Sequence, residues 1–269
     1  MKTNNEKQTH EPNELTNNAD KVSCQANIFQ ADISERKNNM NITLRDRISK
    51  LFNQNRLVIS IEMFLVVGLH LLELKDFPAI LFSFPLGWIS LGLRKLGWRG
   101  VGLQRPSSWL RTLGLGALIG VAYQLISIWL IDPLLVQLVG EPFDASQFAR
   151  IPGSIPNLVI WILIGWLIGG FLEEMVLRGY MISRFADLFG DNRPGWTVGV
   201  LISSMLFAIG HINMGIASVV ETFIFALVFA GLYIAAGRKL WLPIIAHGFY
   251  NSMFFILLYL GYKMPWFIF

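Results

Sequence analysis

Leu158-Val159-Ile160-Trp161-Ile162-Leu163-Ile164-Gly165-Trp166-Leu167-Ile168-Gly169-Gly170-Phe171-Leu172 holds no charged side chain, and it runs straight into Glu173-Glu174-Met175-Val176-Leu177-Arg178. A continuous apolar run of this kind predicts a membrane helix, since about 20 such residues in helical form span a bilayer core. Two acids and an arginine at its end are then in the wrong solvent, where a charge costs at least about 2.5–3.5 kcal/mol on insertion scales. Residues that costly face a protein interior or a wet cavity, and they mark a pathway or a reaction.

Similar runs flank this one: Leu57 to Leu74, Phe77 to Leu93, Leu113 to Ile131, Trp196 to Gly210, Ile216 to Ala236 and Leu240 to Leu260. The expected fold is therefore all-α, a polytopic membrane bundle of seven or eight transmembrane helices over residues 57–262. Whole-chain figures agree, with 54% hydrophobic and 15% charged residues and a mean hydropathy of +0.50. Residues 1–40 differ: rich in Asn, Gln, Lys, Glu and Asp and without an apolar run, they read as a disordered polar tail. Residues 41–56 form a basic juxtamembrane segment. No apolar stretch precedes Leu57, so the first membrane helix is expected to do the targeting.

Charge placement sets the orientation. Arg45, Arg47, Lys50 and Arg56 precede the first run, and Arg94, Lys95, Arg99, Arg105 and Arg111 follow the second, so both segments are expected in the cytoplasm. The stretch from Asp132 to Pro156 carries three acids against Arg150 and reads as an external loop, and Arg238-Lys239 returns the chain inside. The expected location is the plasma (cytoplasmic) membrane, N-terminus inside. The single cysteine, Cys24, excludes an internal disulfide or a thiolate metal cluster. The net charge of +4 fits basic membrane-flanking loops, and no basic cluster interleaved with aromatics suggests nucleic acid.

Three fragments carry the chemistry. On a helix Glu174 and Arg178, four apart, share a face, whereas Glu173 points about 140° away from the arginine at about 100° per residue. Glu174 is thus paired, and Glu173, without a local partner in an apolar setting, is the candidate general base. The competing reading is a helix end with charges marking the membrane surface. Phe207 and His211 are also four apart, as are His247 and Asn251. Taken singly, each is explained as a structural hydrogen bonder between helices. Jointly they meet the needs of water-mediated acyl hydrolysis: Glu173 deprotonates water, His211 holds it, and His247 with Asn251 stabilises the oxyanion. Glu62, His70 and Glu221 are further ionisable residues in apolar runs. Glu221 is placed at the cavity, Glu62 and His70 in snorkelling or paired positions.

This ordered trio resembles the CPBP intramembrane proteases, also called the CAAX protease and bacteriocin-processing or ABI family, whose pattern is Glu-Glu-x-x-x-Arg, Phe-x-x-x-His and His-x-x-x-Asn in three successive membrane segments. Glu173, Glu174 and Arg178, then Phe207 and His211, then His247 and Asn251 match it residue for residue, within a similar region of about 100–255 that opens on Leu-Gly-Trp-Arg-Gly-Val-Gly-Leu-Gln-Arg-Pro. The resemblance implies an intramembrane endopeptidase acting on a membrane-anchored protein or peptide, prenylated CAAX-type substrates included. A non-catalytic scaffold or immunity-type protein and a small-molecule or ion transporter are the rivals; no internal repeat speaks for the transporter. No metal is favoured, since a glutamate-activated water needs none; a zinc-dependent version would use Glu173, His211 and His247.

One tension accompanies these expectations. At about 1.5 Å per residue, Glu173 and His247 both fall near the cytoplasmic side, whereas His211 would lie about 22 Å from it. A common site then requires the segment from Arg184 to Trp196 to extend outside or along the membrane, or the fifth run to be tilted or broken so that His211 reaches the same cavity.

Overall fold

The computed structural model describes residues 29–30, 43–71 and 79–269. Apart from Phe29 and Gln30, the expected polar tail with Cys24 lies outside the described residues, as do residues 72–78. The chain divides into two compact units, Met1–Arg47 and Ile48–Phe269. In the first, Thr43 caps the chain's entry into a helix, its Oγ1 accepting from the Asp46 N–H at 3.2 Å.

The helices are α1 (Leu44–Gln54), α2 (Arg56–Leu71), α3 (Ile80–Leu93), α4 (Trp109–Val139), α5 (Ile155–Phe189), α6 (Arg193–Ile209), α7 (Ile216–Ala235) and α8 (Trp241–Tyr259). Among the described residues α4, α5, α7 and α8 are long and apolar enough to cross a membrane, with a fifth crossing if α1 and α2 form one bent span. That falls short of the seven or eight expected, because α3 and α6 have only 14 and 17 residues. Local caps bound α6: Asn192 Oδ1 accepts from the Gly195 N–H at 3.0 Å at one end, and the helix closes at Ile209 before Gly210 at the other.

The expected external loop is also corrected at its start. Helix α4 runs on through a wider, π-helical turn at Ser127–Ile131 into Asp132–Val139, and ends at Gly140, whose φ of 81° is open to glycine. The wide turn accommodates Pro133, which has no N–H to give to the helix. Asp132-Pro133 looks like a break, but the apolar Leu134-Leu135-Val136 beyond it continues the helix. Pro243 sits in the first turn of α8, where its missing N–H leaves no intrahelical bond unmade. A short parallel pair joins β1 (Phe143–Asp144) to β2 (Phe267–Ile268), with the Phe143 and Phe267 rings stacked at 4.8 Å.

Helix α8 packs against α4 and α5, and its approach to α4 is backbone on backbone. A Cβ at Gly120 would lie 2.1 Å from the Ala246 carbonyl oxygen, so only glycine permits this crossing. Large side chains such as Leu110, Leu118, Trp129 and Leu138 on α4 stay exposed, as expected of a lipid-facing surface. Glu62 of α2 accepts from Ser90 of α3 and from Tyr180 and Arg184 of α5, so it is paired. His70 Nδ1 lies 3.2 Å from Ser83 Oγ. These buried polar ties lock α2 and α3 onto α5.

Candidate active site

Glu173, Glu174 and Arg178 lie in Gly165–Met181, a stretch of α5 with π-helical winding rather than the regular α-helix assumed from the sequence. Such winding is uncommon and concentrates at functional sites. Glu174 and Arg178 are fully buried and still share a face, with Arg178 Nη1 3.1 Å from Glu174 Oε1. Glu173 is 18% exposed in its side chain and turns away from that pair.

Helix α8 supplies an imidazole. His247 Nδ1 lies 2.9 Å from the same Glu174 Oε1, so its N–H donates to a carboxylate already facing a guanidinium. That contact fixes the ring, and Nε2 stands 3.9 Å from Glu173 Oε2. The separation exceeds a direct hydrogen bond and fits one bridging water. Glycine makes this approach possible: a Cβ at Gly169 would fall 2.5 Å from Asn251 Nδ2 and 3.4 Å from His247 Nε2. Asn251 Nδ2 donates to the Gly165 carbonyl at 3.1 Å, which occupies one of its two amide hydrogens.

Phe207 has a larger part than the packing expected of it. Its ring face receives the Arg178 guanidinium, 4.8 Å from the centroid, while its carbonyl accepts from His211 Nδ1 at 2.9 Å. His211 follows directly on the end of α6 and lines a cavity of about 150 Å³ together with His247 and Asn251. The end of α6 thus brings His211 to the cavity that His247 of α8 also lines. Phe225 of α7, which the sequence did not single out, closes the group with its ring 4.7 Å from His247. Glu221 lines the cavity as expected, and so does Asp132, assigned from sequence to the external loop. The signal for Asp132 was its position between two apolar stretches, Ile126–Ile131 and Leu134–Val139.

The residues a zinc site would use do not assemble one. No group of three or more His, Cys, Asp or Glu side chains among the described residues converges as metal ligands, so Glu173, His211 and His247 do not fit a zinc ion.

Apolar helices of this length around a buried carboxylate, imidazole and guanidinium define an integral membrane protein with an enclosed polar centre. Residues 155–253, which contain all three fragments, match the family model described as Rce1-like, type II CAAX prenyl endopeptidase Rce1-like. That segment is similar to the Rce1-like family, which is consistent with the resemblance to the CPBP and CAAX proteases. The chain is also 30% identical over 142 residues to an Escherichia coli protein described as an uncharacterized 24.3 kDa protein, covering 51% of this chain and 61% of that one. It therefore spans about three fifths of the curated relative it matches. No solved structure matches the chain.

Proposed function

We propose that this protein is an intramembrane endopeptidase that hydrolyses a peptide bond of a membrane-anchored substrate, prenylated CAAX-type peptides included, by glutamate-activated water. One observation carries it: His247 stands between Glu174 Oε1 and Glu173 Oε2, at 2.9 and 3.9 Å, inside the Rce1-like segment. Glu173, half-buried and outside the Glu174–Arg178 pair, takes a proton from the water. The water oxygen adds to the carbonyl carbon, and the oxyanion is met by the second amide hydrogen of Asn251 and by His247 as imidazolium, the form in which Nε2 carries a hydrogen while Nδ1 donates to Glu174. Collapse breaks the C–N bond, and the proton held by Glu173 passes to the leaving amine, so hydrogen and charge balance. Glu174 and Arg178 position the imidazole, as a third group orients the base in hydrolytic triads. His211, oriented by the Phe207 carbonyl, holds the water or the substrate carbonyl from across the cavity.

The basic segments around residues 45–56 and 94–111 and at Arg238-Lys239 support a cytoplasmic N-terminus, a plasma-membrane location and a site nearer the cytoplasmic side. The test is the purified full chain in liposomes with a prenylated, membrane-anchored peptide, its products read by mass spectrometry. Endoproteolytic products containing an intact prenyl cysteine are expected. An uncut peptide under conditions where the protein stays folded contradicts the proposal, as a scaffold or immunity-type protein would.

A further inference from the structure

Beside the site just described, the cavity holds a second buried acidic pair that the hydrolysis does not use. Asp132 of α4 is 3% exposed and Glu221 of α7 is 8% exposed. Ser127 Oγ joins them, 2.9 Å from Asp132 Oδ1 and 3.1 Å from Glu221 Oε1, and its single hydrogen serves one carboxylate at a time. Tyr250 donates to Glu221 Oε1 at 3.3 Å, which ties the pair to α8 one turn beyond His247. Among the described residues neither acid makes an ion pair, and no lysine or arginine lines the cavity. Burying two carboxylates this way is unfavourable unless one of them takes up a proton or a cation accompanies them.

A separate observation points to what accompanies them. Gln124 of α4, 2% exposed, lines the same cavity, and its Oε1 meets no donor among the described residues. Gln124, Asp132 and Glu221 therefore line one space, and of their acceptors the Gln124 Oε1 is left without a donor among the described residues. Most of the rest of the wall is aromatic, with Phe148, Phe254 and Phe255 prominent beside Met214, Ser218 and Thr222, and ring faces favour an organic cation on an apolar stem over a bare, strongly hydrated ion. A volume of about 150 Å³ suits a single long side chain.

We propose that this cavity is a specificity subsite that receives a lysine or arginine side chain of the substrate, flanking the scissile bond, with Glu221 and Asp132 as its charge partners and Gln124 as a further acceptor. The assignment rests on the peptidase function proposed above. The Tyr250–Glu221 contact, with the Tyr250 and His247 rings 6.2 Å apart, puts the cation about one side chain's length from the imidazole.

Two arms test it separately on the purified full chain in detergent. In the first, thermal unfolding is followed with n-butylammonium, n-butylguanidinium, n-butanol and sodium chloride, on wild type and Glu173→Gln. Both should be stabilised by the two organic cations and not by butanol or sodium, and the shift should vanish in Glu221→Gln and Asp132→Asn. In the second, membrane-anchored peptides carry lysine or norleucine at each position flanking the scissile bond. Lysine at one position should raise kcat/KM at least tenfold over norleucine, with the preference lost in Glu221→Gln. Should Glu221→Gln fail to fold, Asp132→Asn and Gln124→Leu give the same readouts. Equal stabilisation by sodium and butylammonium, or by butanol, overturns the subsite. Cleavage without discrimination between lysine and norleucine overturns it too and leaves the peptidase standing, whereas organic-cation stabilisation with no peptide cut defeats the peptidase and keeps a cation site.

Discussion

His247 lies between two carboxylates adjacent in the chain, its Nδ1 2.9 Å from Glu174 Oε1 and its Nε2 3.9 Å from Glu173 Oε2. The two acids are thereby unequal. Glu174 is fully buried and also faces Arg178, so Glu174→Gln leaves a buried guanidinium without its counter-charge. Loss of one partner of a buried pair costs about 3–5 kcal/mol. Glu173→Gln, at a half-buried position outside that pair, is expected to cost less than about 1 kcal/mol, as substitutions away from such features do. Denaturant or thermal unfolding in detergent measures both; equal losses would contradict the division of labour.

Gly169 sets the spacing between α5 and α8 at the site. Gly169→Ala puts a methyl 2.5 Å from Asn251 Nδ2 and is expected to push Asn251 and His247 out of place. Cleavage should fall about 10²-fold or more, the loss seen when an oxyanion donor is removed. Gly114→Ala, on α4 with nothing within 4 Å of the added carbon, is the control and should be neutral or slightly stabilising, by about 0.5–1 kcal/mol. A normal kcat in Gly169→Ala would show that the α5–α8 approach does not govern the chemistry.

The Glu62–Arg184 pair belongs to architecture. Arg184 is buried and also donates to the Phe52 carbonyl at 2.7 Å. Glu62→Gln should lower stability by about 3–5 kcal/mol. With folded protein at low temperature, KM and kcat should stay near wild type, because neither residue lines the catalytic cavity. A large kcat loss without a stability change would reverse that assignment.

Much of this was legible in the sequence and some was not, for reasons that lie in particular residues. Glu174 and Arg178 share a helix face under either winding, so their pairing follows from spacing alone. The partner that completes the group, His247 on α8, comes from a crossing that no local period encodes, because it depends on Gly169 and Gly120 lowering two backbones onto α8. The apparent depth of His211 assumed that the fifth run starts at the membrane edge; the preceding helix runs on to Phe189 before the chain turns back into α6 at Arg193, and His211, just past the end of α6, lines the cavity that His247 also lines. Span counting took every apolar run as a crossing, whereas α3 and α6, at 14 and 17 residues, are short for one. Asp132 was misplaced because an Asp-Pro step reads locally as a break, whereas the π-helical turn before it keeps α4 continuous.

Metal dependence follows from the donor set. With no three His, Cys, Asp or Glu side chains converging among the described residues, cleavage is expected to survive EDTA and 1,10-phenanthroline at full rate. Loss of activity with restoration by zinc, and not by magnesium, would instead require Glu173, His211 and His247 to move together around an ion.

The central claim is that Glu173 is the base. The most direct measurement is single-turnover cleavage of a membrane-anchored prenylated peptide by wild type and Glu173→Gln, each shown by thermal unfolding to be folded. Removal of a positioned general base should slow the chemical step about 10²–10⁴-fold with little change in substrate binding. Cleavage by Glu173→Gln at the wild-type rate would contradict the account.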